Sequence, residues 1–140
     1  MTIRNLEHLF APSAVALVGA SAEPGSVGLW LARNLARGGF AGPVHLVNPH
    51  RPTIDGRKAL ASVAELPGGV DLAVIATPPA TIPALIAELG ERGTRAAIVV
   101  SAGIRADLKQ AMLEAARPNL LRILGPNCIG LMVPGEGLIT

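Results

Sequence analysis

The chain has 140 residues, 50% of them hydrophobic, 16% charged and 2% aromatic, with 16 glycines, 12 prolines and one cysteine. That length accommodates one domain with its own core, and an apolar content this high offsets the entropy of ordering the backbone, which excludes disorder. The lone cysteine excludes an internal disulfide framework, while a net charge of +2 and singly scattered aromatic residues (Phe10, Trp30 and Phe40) leave no basic stripe or stacking platform for nucleic acid.

A mean hydropathy of +0.47 invites a membrane reading. It fails because the richest stretch, residues 72–89, is broken by Pro78, Pro79 and Pro83, and residues 96–104 are too few to span a bilayer. The N-terminus carries Glu7 and His8 where a secretory signal has its apolar centre, so no export signal and a reducing cytoplasm are expected. Cysteine and histidine do not cluster at zinc spacing.

The first apolar run, residues 15–18, ends in Gly19-Ala20-Ser21, and the loop continues through Ala22-Glu23-Pro24-Gly25-Ser26-Val27-Gly28. A helix is expected to begin near Ser26, with Val27, Trp30, Leu31 and Leu35 as its apolar face and Gly38-Gly39 as its stop. A second run, residues 44–47, ends in Asn48-Pro49, and residues 61–66 can make only a short helical connection. The third run, residues 72–76, ends in Thr77-Pro78-Pro79. Ile82, Leu85, Ile86 and Leu89 then repeat at helical spacing behind Thr81 as N-cap, with Pro83 tolerated in the first turn. Residues 96–100 lead into Ser101-Ala102-Gly103; Leu108, Met112 and Leu113 mark a helix closed by Pro118; and residues 122–124 precede Gly125-Pro126-Asn127. Residues 129–140, Gly-rich and apolar, are expected to add a last strand or to lead onward.

Runs that are continuously apolar, rather than alternating, describe strands buried on both faces of a parallel sheet. Their alternation with helices predicts a single α/β domain, a Rossmann-like doubly wound sheet in three α/β/α layers. In such folds the ligand lies at the carboxyl ends of the strands, which is where every Gly/Ser/Pro-rich loop above falls.

The first loop suits an anion. Small residues let backbone amides approach a ligand, and the free N–H groups and dipole of a helix start favour a diphosphate. The spacing of Gly19, Gly25 and Gly28 is not the G-x-G-x-x-G dinucleotide fingerprint, and the second strand ends in Asn48-Pro49-His50-Arg51 without the acid that an NAD ribose requires. Cations at His50 and Arg51 suit a phosphorylated ribose, as in NADP or coenzyme A. Neither Lys58 nor Lys109 stands where a P-loop needs its lysine, which argues against an ATP site of that kind.

Together these pieces carry a resemblance. Leu9-Phe10-Ala11-Pro12-Ser13, Val18-Gly19-Ala20-Ser21, Gly25-Ser26-Val27-Gly28, Val47-Asn48-Pro49, Val70-Asp71-Leu72-Ala73-Val74-Ile75, Val100-Ser101-Ala102-Gly103 and Gly125-Pro126-Asn127-Cys128-Ile129-Gly130 occur in order over nearly the whole chain. The set resembles the coenzyme A-binding domain of NDP-forming acyl-CoA synthetases, the group of the succinyl-CoA synthetase α subunit and ADP-forming acetyl-CoA synthetases. The resemblance implies that Ser21, Gly25, Ser26, Val27 and Gly28, with Gly19 and Ala20, surround the coenzyme's diphosphate. Asn48 and Pro49 would stand by the adenosine, with His50 or Arg51 meeting the 3′-phosphate. Ala76, Thr77 and Pro78 would line the nucleotide and pantetheine path, and Ser101, Ala102, Gly103 and Asn127 would lie towards the thiol. The family often has Val-Pro at the end of the third strand, so Thr77 is a small departure that a backbone contact would survive.

The resemblance also implies a division of labour. Related synthetases make an acyl-CoA from an acid, coenzyme A and ATP through acyl phosphate and phosphohistidine intermediates, and their histidine lies beyond this domain. His8, His45 and His50 do not match its motif, and Cys128, without a histidine neighbour in sequence, reads as packing. The chain is thus expected to be the N-terminal module of a longer ligase, holding coenzyme A or acyl-CoA beside downstream domains or a partner subunit, with no catalytic residue, metal, nucleic acid or membrane of its own. A regulatory module of a protein acetyltransferase fusion, a free-standing coenzyme A-binding protein and an NAD(P)-binding domain are the alternatives, and the isolated module is a candidate homodimer.

Overall fold

A computed structural model describes residues 3–140. All five predicted strands are present: β1 (Val15–Val18), β2 (Val44–Val47), β5 (Leu72–Ile75), β6 (Ala96–Val99) and β7 (Arg122–Leu124). Between β2 and β5 come two strands that the apolar pattern does not reveal, β3 (Thr53–Ile54) and β4 (Arg57–Leu60), one of which begins on two cations. They form a hairpin on Asp55-Gly56, both with positive φ (50° and 77°), as a tight two-residue turn demands. That Asp-Gly pair is the legible signal. Arg33 hydrogen-bonds the Asp55 carboxylate at 3.3 Å from the neighbouring helix and holds its pKa below the ordinary value.

The sheet has seven strands in the order β3-β4-β2-β1-β5-β6-β7, parallel throughout except for the β3–β4 hairpin. The chain leaves β1 for β2 on one side and later returns to β5 on the other, so the winding reverses at β1 and opens a crevice beyond its carboxyl end. Every residue of β1, β5 and β6 is buried, the physical reason for their unbroken apolarity.

Two cores flank the sheet. Val15, Leu17, Leu72, Val74 and Ile98 pack beneath α2 (Val27–Arg37), joined by Leu9 of the short helix α1 (Leu6–Phe10). Ala16, Val18, Ala73, Ile75 and Val99 pack against Ile82, Ile86 and Leu89 of α3 (Ile82–Glu91) and Met112 of α4 (Ala106–Ala116). Residues 129–140 end in a small antiparallel hairpin, β8 (Met132–Val133) with β9 (Leu138–Ile139), whose Leu138 is buried under α2. The connection at residues 61–66 contains a single 3-10 turn, Val63–Glu65. No helix among the described residues is long and apolar enough to cross a membrane.

Two local expectations are corrected. Val27 and Trp30 are each 58% exposed; the buried face of α2 is Gly28, Leu29, Leu31, Ala32 and Leu35. Gly28, Leu31, Ala32 and Leu35 recur at i, i+3, i+4 and i+7, and the small residues in that stripe bring the helix close to the sheet, a role that hydrophobicity alone does not flag. Thr81 stands at the N-cap position of α3 but makes no side-chain capping bond. It has helical dihedrals in the turn Pro79–Thr81, and its hydroxyl lies 2.8 Å from the Thr77 hydroxyl and 2.7 Å from the Pro78 carbonyl.

The relocated face of α2 makes a direct prediction: Leu31→Ala should cost about 2–5 kcal/mol in urea unfolding followed by circular dichroism, whereas Trp30→Ala should change it by less than about 0.5 kcal/mol.

Candidate functional site

The loop after β1 owes its path to two glycines. Gly19 has φ 94°, and a Cβ there would lie 2.6 Å from the Ala76 carbonyl oxygen; at Gly28 a Cβ would lie 2.2 Å from the Gly19 carbonyl oxygen. β1, α2 and the end of β5 therefore converge at a distance that tolerates no side chain. The fingerprint spacing is absent, yet Gly28 does the packing work of its third glycine.

Hydroxyls inside the loop hold its own shape. Ser26 caps α2, its Oγ accepting the Leu29 N–H at 3.2 Å and donating to the Glu23 carbonyl at 2.8 Å. Ser21 Oγ accepts the Glu23 N–H at 3.0 Å. Asn48 is bound more fully: its Nδ2 donates to the Ala20 carbonyl at 2.8 Å, while its Oδ1 accepts the amides of His50 (2.7 Å) and Arg51 (3.0 Å). It thereby ties the β2 loop to the β1 loop and turns the chain so that His50 and Arg51 stand at the rim. Arg51 crosses the same gap to Glu23, at 3.0 Å in an exposed ion pair.

The later loops are sewn together too. Ser101 Oγ donates to the Thr77 carbonyl at 2.7 Å, and the Asn127 N–H, from a residue at φ 55°, donates to the Ser101 carbonyl at 3.0 Å. Half-buried Cys128 directs its thiol to the Val99 carbonyl at 3.4 Å and packs against the α2-side core.

Three concavities follow from this arrangement. A cavity of about 580 Å³ brings together Gly19, Ala20, Ser21, Asn48, Pro49, His50, Ala76, Thr77 and Pro78. One of about 420 Å³ shares Ala76, Thr77 and Pro78 and adds Val27, Ser101 and Ala102. A smaller one of about 260 Å³ holds Arg51 with Asn48, Pro49 and His50. Gly25, Ser26, Gly28, Gly103 and Asn127 line none of the three; Ser26 and Gly28 shape the loop from within. The largest cavity also has walls the sequence did not single out: Val18 and Val47, residues 61–63, and Thr81, Leu85 and Glu88 on α3. Among the described residues no cluster of His, Cys, Asp or Glu could hold a metal ion.

Comparison with known proteins turns this geometry into a family. A family model described as a CoA binding domain matches residues 13–134. The chain belongs to the coenzyme A-binding domain family. It is 36% identical over 99% of its length to "Acetate--CoA ligase [ADP-forming] II" of Archaeoglobus fulgidus, and 37% identical over 91% to the α subunit of "Acetate--CoA ligase [ADP-forming] I" of Pyrococcus furiosus. It spans 22% and 30% of those proteins. A solved Ca. Korarchaeum cryptofilum acetyl-coenzyme A synthetase 1, in complex with phosphate and ADP, superposes with a TM-score of 0.89 at 35% identity over 95% of this chain and 30% of its own.

At this edge the domain has the backbone amides of the α2 start, Arg51 in its ion pair with Glu23, and small apolar walls along the strand ends. Because Gly28 packs against backbone, Gly28→Val should lower unfolding stability by at least about 2 kcal/mol in urea titration, rather than merely crowding a ligand. A variant of unaltered stability that no longer binds would return Gly28 to a ligand-facing role.

Proposed function

We propose that this coenzyme A-binding domain serves an ADP-forming acyl-CoA synthetase, as the module that presents the coenzyme's thiol while a histidine in another part of the enzyme carries the phosphate. The observation that supports it best is the pair of cavities joined through Ala76, Thr77 and Pro78. A ligand with a nucleotide at one end and a long flexible arm at the other needs such a track.

In this reading the amides of the β1 loop and the first turn of α2 receive the diphosphate, with Ser21 and Ser26 fixing the loop and Gly25 leaving its tip open. The adenosine occupies the larger cavity beside Asn48 and Pro49. His50 and Arg51 meet the 3′-phosphate, and Arg51 leaves Glu23 to do so. The pantetheine arm passes Thr77 and Val27 towards Ser101, Ala102, Gly103 and Asn127. Thr77 offers its carbonyl to Ser101 rather than a distinctive side chain to the ligand, which agrees with a path set by backbone.

The acetate and ADP named for the relatives support an acid and a nucleotide as co-substrates of the whole enzyme. His8 lies 3.6 Å from Glu7 and 3.7 Å from Asp71, and His45 stands opposite Ala16 in the β2–β1 ladder.

Calorimetric titration with coenzyme A, dephospho-coenzyme A and NADH tests the reading. Coenzyme A should bind and NADH should not; the opposite result removes the coenzyme from this site. Loss of the 3′-phosphate should weaken binding about tenfold or more, as expected for charge-assisted hydrogen bonds, and equal affinity would dismiss His50 and Arg51 as its partners. Glu23→Gln frees Arg51 from its exposed partner and should tighten coenzyme A binding a few-fold without changing the affinity for dephospho-coenzyme A.

A further inference from the structure

Glu88 stands on the wall of the larger cavity, contributed by α3. Thr81, Leu85 and Glu88 follow i, i+4 and i+7 and form one stripe along the cavity side of α3. At 1.5 Å per residue that stripe is about 10 Å long. Its near end is anchored at the strand ends, where the Thr81 and Thr77 hydroxyls lie 2.8 Å apart. Its middle is apolar, Leu85 sharing the cavity with Val18, Val47 and Val63. Its far end is a carboxylate.

That carboxylate is half-buried and has no ion-pair or side-chain hydrogen-bond partner among the described residues. Its natural helical partner would be Arg92, four residues on in the favourable orientation, but the Arg92 guanidinium is bound to the Leu66 carbonyl. An ionised carboxylate only accepts hydrogen bonds, and it repels phosphate. The cavity thus has the β1 and β2 loops, with Ser21, Asn48 and His50, on one wall and the Glu88 carboxylate on the α3 wall beyond Leu85.

We propose that Glu88 selects the base of the bound nucleotide: its carboxylate accepts a hydrogen bond from the exocyclic 6-amino group of the purine, whose ring lies between Leu85 and Val63. The proposal rests on the coenzyme A reading above and adds to it the direction in which the nucleotide lies and the residue that reads its edge. The same charge keeps the phosphates at the opposite, loop end of the cavity.

The test compares coenzyme A with its analogue in which purine, lacking the 6-amino group, replaces adenine, by calorimetry on the whole chain. Wild-type protein should bind coenzyme A about tenfold more tightly than the analogue, the loss of one hydrogen bond to a charged group. In Glu88→Leu the two ligands should bind alike. Glu88→Gln, which preserves shape and removes the charge, should narrow the difference, and it serves as the readout if the leucine variant fails to fold by circular dichroism. Equal affinities in the wild-type protein overturn the proposal, as does an undiminished difference in a folded variant. In both cases coenzyme A still binds; a wild-type chain that binds neither ligand refutes the coenzyme reading itself, and this proposal with it.

Discussion

Everything at the carboxyl edge of this sheet depends on how closely three backbone segments converge. With no side chain at Gly19 or Gly28, the first turn of α2 can rest on the β1 loop and that loop can rest on the end of β5; added Cβ atoms would stand 2.6 and 2.2 Å from carbonyl oxygens. This close approach sets the position of the helix start, and with it the direction of the amides available to an anion. The remaining polar groups of the loop are largely occupied in holding it: Ser26 as cap, Ser21 and Asn48 as ties. Side chains in this loop position its backbone.

The second constraint is topological. Because the winding reverses at β1, the loops after β1, β2 and β5 diverge and leave the larger cavity on the α3 side, floored by Val18 and Val47. The loops after β6 and β7 join the edge through Ser101 and Asn127 and carry the track across the sheet. A nucleotide coenzyme with a long arm suits this shape, and the family relationship agrees with it. The domain spans 22% and 30% of the ligases it resembles.

Much of this was legible in the residues. Continuous apolar runs marked the five parallel strands because burial on both faces leaves no alternation to read. The ordered loop motifs pointed to the coenzyme family before any geometry. Small or charged elements were harder. β4 begins Arg57-Lys58, so its pairing with β2 is invisible to hydrophobicity, and the only sign of the hairpin was Asp55-Gly56. Val27 and Trp30 misled in the other direction, since large apolar side chains outweigh Gly28 and Ala32 in any hydrophobic count although the small residues face the sheet.

The fold class was readable from the residues alone because unbroken apolar runs and small turn residues are local chemistry, and the coenzyme family was readable from the ordered set of loop motifs that resemble it. Only the tertiary structure decided what each polar group does there. Asn48 is a tie between loops, Arg51 is held by Glu23, Thr81 belongs to a turn, and Glu88 reaches the cavity from a helix that the motifs did not mark. A side chain's partner is fixed by which segments the sheet brings together: Asn48 and Arg51 each meet a residue 28 positions away at this edge through strand order, a property that no local pattern encodes.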